Sequence, residues 1–211
     1  MIGRIFIATS GWNYKHWSNG VFYPKSVKQK NWFSFYCRYF NTVEINNTFY
    51  RLPYRAVFEN WYKSSTDSFV FTVKASRFIT HMKKLSDPEQ HVAKLMANSS
   101  GLQDKLGVIL FQLPPAWNFN SLRLERFCEC IVNHRTTPLT RFVIEVRNST
   151  WQSSECLNIL QKYNIALAFT DWPGCSIEDP LTSNFAFVRR HGPENLYASN
   201  YSDQYLEKEA H

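Results

Sequence analysis

Residues able to move protons or hold anions recur at the downstream ends of apolar segments. TVEINN carries Glu44, Asn46 and Asn47, and FTVKASR carries Lys74, Ser76 and Arg77. ILFQLP supplies Gln112, FVIEVRN supplies Glu145 and Arg147, AFTDWP supplies Asp171, and FVRRHGP supplies Arg190 and His191. The carboxylates Glu44, Glu145 and Asp171 offer general acid and base, because crowding or desolvation raises a carboxyl pKa towards neutrality. Lys74, Arg77, Arg147 and Arg190 offer anion binding, with arginine presenting a planar fork to phosphate or carboxylate. Gln112, Asn46 and Asn47 suit sugar hydroxyls, and His191 and His81 are the histidines that best suit a site. Trp12, Trp151 and Trp172 follow closely behind their segments, where they would stack on a flat ring or serve as packing.

The elements that must position these groups alternate along the chain. Strand-like runs fall at Ile5–Thr9, Thr42–Asn46, Phe69–Lys74, Gly107–Gln112, Arg141–Arg147, Ile165–Asp171 and Asn184–Arg190. Several are apolar throughout their middles, as strands covered on both faces are. Between them lie amphipathic stretches: VKQKNWFSFYCRYF, Tyr54–Ser64, a segment from Pro88 to about Ala97 with Asp87 as cap, LRLERFCECIV and SECLNILQKYN. Strand and helix in turn imply parallel strands with crossover helices. The expectation is one α/β domain over residues 1–211; a barrel of β/α units fits the alternation better than a doubly wound sheet, although pattern alone does not force closure. In such a barrel, working residues project from the carboxyl ends of the strands. Side-chain alternation puts Glu44 with Asn46 and Glu145 with Arg147 on one face, and Val43, Ile45, Ile144 and Val146 on the other. Glu145 and Arg147 would line a mouth or would merely satisfy one another.

Composition narrows the function classes. The formal net charge of +7 admits an anionic small molecule or a nucleic acid as partner. The basic residues are dispersed, however, and charge alone does not choose. No G-x-G-x-x-G follows the first strand-like run, which disfavours dinucleotide binding. No apolar run is long enough for a membrane helix. The start lacks the pattern of a signal peptide, so an intracellular, cytoplasmic protein is expected. Five scattered cysteines argue against a disulfide framework, and the C-x-C of Cys128 and Cys130 reads as two ordinary thiols. His81, His191, Glu44, Glu145 or Asp171 would be a metal's ligands, but no H-x-H or H-E-x-x-H spacing occurs, and no metal is assigned. No motif names a cofactor.

The segments ATSGWNYKHW, GVFYP, FNTVEINNTFYRLP, FVFTVKASRFITHMKKL, GVILFQLPP, FVIEVRNSTW, FTDWP and FVRRHGP resemble, in order, the YecE-like family, also called the domain-of-unknown-function 72 family. The resemblance runs from about Ile5 to Pro193 and implies a TIM-barrel-like β/α fold. It implies no activity. Relative to the family pattern, YSDQYLEKEAH stops inside a helix, so the last strand and helix would be absent and the barrel left with seven strands. The expected function is an enzyme acting on a small polar or anionic substrate, a sugar or phosphorylated compound, by carboxylate acid/base chemistry. The alternatives are a nucleic-acid-binding or processing protein and an inactive truncated family member.

Overall fold

The structure, a computed structural model, describes residues 4–178 and 180–210. Five parallel strands form one sheet in sequential order: β1 Thr42–Ile45, β2 Val70–Lys74, β3 Leu106–Gln112, β4 Arg141–Glu145 and β5 Ala166–Leu167. A second sheet follows in the order β7, β6, β8, with β6 Phe169–Trp172, β7 Cys175–Ile177 and β8 Val188–Arg189. The helices are α1 Trp32–Tyr36, α2 Arg55–Ser64, α3 Glu89–Ser99, α4 Ser121–Asn133, α5 Ser154–Lys162 and α6 Asp203–Ala210.

Alternation sorts each strand into two faces. One face packs on the helices: Val43, Ile45, Phe71, Val73, Ile109, Phe111, Phe142 and Ile144 join Phe58, Leu95, Phe127 and Leu160 in one buried core. Phe111 meets Phe127 of α4 edge-on, with ring centroids 4.9 Å apart. The opposite face closes on a smaller cluster of Leu110, Val143, Ala166 and Ala168, covered by Phe185 and Phe187. Local signals set the helix starts. The Asn120 side chain accepts from Arg123 N–H at 2.9 Å at the start of α4, and Ser153 caps α5 on Cys156 N–H at 3.3 Å. The start of α3 differs from expectation: Pro88 stands at the cap with no side-chain bond, and Asp87 takes a left-handed φ of 45°.

The architecture corrects the expected seven-stranded barrel in three places. The run Ile5–Thr9 forms no strand, although Thr9 C=O accepts from Glu44 N–H at 3.1 Å and so lies beside β1. The run Ile165–Asp171 is divided between the two sheets. Ala168 N–H still bonds Ile144 of β4 at 2.9 Å, while Phe169 N–H turns to Phe187 at 2.9 Å, so the chain changes partner within one residue. After β6 the chain doubles back as β7, antiparallel to β6, and only then reaches β8, which is parallel to β6. No backbone ladder joins β8 to β1 among the described residues. The barrel is therefore not closed by hydrogen-bonded strands.

Gly101 lets its turn approach α2 closely. A Cβ there would meet Arg55 carbonyl oxygen at 2.7 Å and Phe58 Cβ at 3.0 Å, both on α2. Backbone cannot yield as a flexible side chain does, so Gly101→Ala is expected to lower stability by about 1–3 kcal/mol in urea unfolding. Unchanged stability would mean that α2 does not approach this turn so closely.

Candidate functional site

Glu44 on β1, Lys74 on β2, Gln112 on β3, Glu145 on β4 and Arg189 on β8 are all buried and all stand at the carboxyl end of the fold. Arg189 is their hub. Its Nε donates to Glu44 Oε2 at 2.9 Å and its Nη2 to Glu44 Oε1 at 2.8 Å, a two-pronged pair. Its Nη1 donates to Glu145 Oε2. The other oxygen of Glu145 accepts from Arg147 Nε at 3.1 Å and meets His191 Nε2 at 3.0 Å. Arg147 in turn lies 3.7 Å over the ring of Trp172. Every carboxylate oxygen of Glu44 and Glu145 is thus occupied.

The charge state of the cluster follows from these contacts. Burial alone would raise the Glu145 pKa, but the His191 hydrogen bond and the charges of Arg189 and Arg147 outweigh it and hold the carboxyl at about 2. Burial likewise opposes the charge on Arg189, and Glu44 and Glu145 overcome it. Lys74 is different. Its Nζ has no hydrogen-bond acceptor or ion-pair partner among the described residues; it lies 4.6 Å from the centre of the Phe49 ring. Burial, followed by the nearby Arg189 charge, lowers its pKa to about 8, and Glu44 and Glu145 only partly restore it. His81, from the π-helical turn Phe78–Met82, is held below its usual pKa by burial and by the charges of Lys74, Arg147 and Arg77.

The remaining expected site residues divide. Asn46 borders the cluster, with Nδ2 donating to Ser10 C=O at 2.8 Å, and Asn47 and Arg77 are exposed near it. Gln112 Nε2 donates to Leu113 C=O at 2.7 Å. Asp171 is turned away to fix the chain after β8: it accepts from His191 N–H at 2.8 Å and from Tyr201 Oη. Trp12 packs on Phe33 and Trp61, on the helix side. Trp151 is fully buried and donates Nε1–H to Trp117 C=O at 2.8 Å, a packing role. Arg190 does not join the cluster. It pairs with Glu209 of α6, Nε to Oε2 at 2.9 Å, and lies over Tyr205.

Arg189 is the residue that inspection of the sequence passed over, and a signal for it existed. Phe185 and Phe187 cover the small interior cluster, so a period of two continues that face through Arg189 and His191. Arg190 and His191 cannot share it. Among the described residues no group of three or more His, Cys, Asp and Glu side chains could hold a metal ion. None of the helices among the described residues is long and apolar enough to cross a membrane.

The family model described as "protein of unknown function DUF72" matches residues 6–211. The chain is 31% identical over 111 residues to UPF0759 protein YecE of Escherichia coli, covering 52% of this chain and 38% of that protein. It is 27% identical over 155 residues to UPF0759 protein YunF of Bacillus subtilis, covering 71% and 52%. The chain therefore spans about half, or less, of the length of the curated relatives it matches. A crystal structure of a DUF72 family protein from Thermotoga maritima superposes with a TM-score of 0.81 at 24% identity, over 96% of this chain and 84% of that one. One from Enterococcus faecalis gives 0.73 at 16% identity, over 97% and 82%.

Removing one member of a buried ion pair strands the other, a loss of about 3–5 kcal/mol, whereas a partly exposed pair is worth about 1 kcal/mol or less. Arg189→Met is therefore expected to destabilise the protein severely, and Arg190→Met by about 1 kcal/mol or less, in parallel urea unfolding curves. Equal losses, or the reverse order, would contradict the assignment of Arg189 as hub.

Proposed function

We propose that this chain, which belongs to the DUF72 family of proteins of unknown function, is an enzyme that takes a small anionic or polar molecule, a sugar phosphate or similar compound, into the mouth around Lys74. The observation that carries this reading is the unpaired ammonium of Lys74, on a residue only 8% exposed. Three buried or nearly buried cations, Lys74, Arg147 and Arg189, stand against two carboxylates, Glu44 and Glu145. Each carboxylate oxygen already has an arginine or histidine partner. An incoming anion would satisfy the remaining cation, with exposed Arg77 beside it at the rim.

The division of labour differs from carboxylate catalysis. Glu145, held at about 2, stays ionised near neutral pH and serves as a counter-ion that orients Arg189, Arg147 and His191. Proton transfer near neutral pH falls to Lys74, brought down to about 8 chiefly by burial. His81, kept neutral by burial and by its cationic neighbours, is the complementary base. A second reading draws on Tyr50 and Tyr54, 74% and 76% exposed, as faces on which nucleobases would stack.

Thermal and denaturant unfolding with inorganic phosphate, sugar phosphates and short oligonucleotides separates these readings. A small anion at a hundred times its dissociation constant should stabilise the folded chain by about 2.7 kcal/mol. Lys74→Met should weaken that binding by roughly 10- to 100-fold, the range for a hydrogen bond to a charged group. Undiminished binding in Lys74→Met would remove the mouth from the account. Strongly salt-dependent stabilisation by oligonucleotides alone would favour the second reading.

A further inference from the structure

Lys74 is placed for covalent chemistry as well as charge pairing. Resting on the reading of the mouth as a small-anion site, we propose that Lys74 Nζ attacks the carbonyl carbon of an aldehyde or ketone that carries an anionic group, and forms an imine with it. The substrate class is thereby narrowed to anionic carbonyl compounds, such as 2-oxo acids and phosphorylated aldehydes or ketones.

The first support is positional. Lys74 ends β2, and its carbonyl oxygen accepts from Thr48 Oγ1 at 2.6 Å, so the root of the side chain is fixed. The second is the absence of a restraining partner. A lysine locked in an ion pair keeps its proton and its lone pair is unavailable. Here each carboxylate oxygen of Glu44 and Glu145 is engaged by Arg189, Arg147 or His191, and among the described residues none pairs with the ammonium. The third is access. Among the described residues, the buried polar side-chain atom sealed from solvent without a hydrogen bond is Arg190 Nη1. Lys74 Nζ is equally unbonded but not sealed: it keeps contact with solvent on a residue 8% exposed. The fourth is the surroundings: Phe49 covers one side of the amine, while the charges of Arg147 and Arg189 disfavour its protonated form. Arg147, engaged with Glu145 through Nε alone and without a hydrogen bond at either Nη among the described residues, would hold the substrate's anionic group.

The step balances without a redox partner. The neutral amine's lone pair forms the new C–N bond, and the carbonyl π pair moves to oxygen, which takes a proton. The nitrogen releases its extra proton to give the neutral carbinolamine; its hydroxyl, protonated, leaves as water while the C=N bond forms, and the iminium nitrogen then gives back that proton. Amine plus carbonyl gives imine plus one water. His81 can relay these protons: its Nδ1 is hydrogen-bonded to Thr80 Oγ1 at 2.8 Å, and Nε2 has no partner among the described residues. A pKa of about 8 leaves part of Lys74 unprotonated near neutral pH, which an ordinary lysine is not.

The test is reductive trapping. The full chain is incubated at neutral pH with pyruvate, or with glyceraldehyde 3-phosphate, in the presence of cyanoborohydride, and the adducts are mapped by peptide mass. The peptide holding Lys74 should be modified roughly 10- to 100-fold faster than those holding exposed Lys25 and Lys63. Inorganic phosphate should slow it, and Lys74→Arg should remove it. The comparison among lysines of the unaltered chain stands even if that variant fails to fold. Labelling of Lys74 no faster than Lys25, with phosphate still stabilising the chain, would overturn the imine and leave the anion site standing. No preferential labelling and no stabilisation by any small anion would overturn both.

Discussion

A guanidinium that cannot give up its proton occupies the centre of this fold. Burying Arg189 requires compensation, since a desolvated charge costs several kcal/mol unless it is paired and fully hydrogen-bonded. Glu44 supplies both oxygens and Glu145 a third contact, from strands far apart in sequence. The first and last parallel strands are consequently tied by side chains across the interior, where no backbone ladder joins them among the described residues. The positions of β1, β4 and β8 relative to one another thus depend on one ion cluster. The remaining polar residues arrange themselves around it. His191 and Arg147 complete Glu145, and Trp172 supports Arg147.

The same saturation determines what chemistry is left over. Glu145 is held so low that it contributes negative charge rather than a mobile proton. Lys74, buried, crowded by arginine charge and paired with no carboxylate among the described residues, is brought down to about 8. In this arrangement the structural pair and the group proposed to react are separate residues.

Much of this was legible in the chain. Apolar runs such as FVFTVK, GVILFQLP and FVIEVRN marked buried parallel strands, and their polar ends marked Lys74, Gln112, Glu145 and Arg147 as neighbours. The failures have physical causes. Ile5–Thr9 has strand composition but no ladder, because pairing depends on partners that a local pattern does not reveal. Ile165–Asp171 looks continuous, yet a change of partner at Ala168 divides it between two sheets. Arg189 and Arg190 are adjacent and chemically identical, so only the parity set by Phe185 and Phe187 tells the inward residue from the outward one. Trp151 sits close behind a strand end but turns into the core, where Trp117 accepts its N–H. Strand-end placement says that a side chain is near the mouth, not that it points there.

The most direct measurement is the titration of Lys74 itself, followed by NMR on protein carrying carbon-13 at the lysine ε position. The resonance is assigned by its loss in Lys74→Arg. The account predicts a midpoint of about 8, because burial and the neighbouring arginine charge oppose protonation while the carboxylates are engaged elsewhere. A midpoint near the ordinary lysine value of about 10.4 would contradict it. It would mean that Lys74 has found an anionic partner or full hydration, and that the mouth holds no free cation for a substrate.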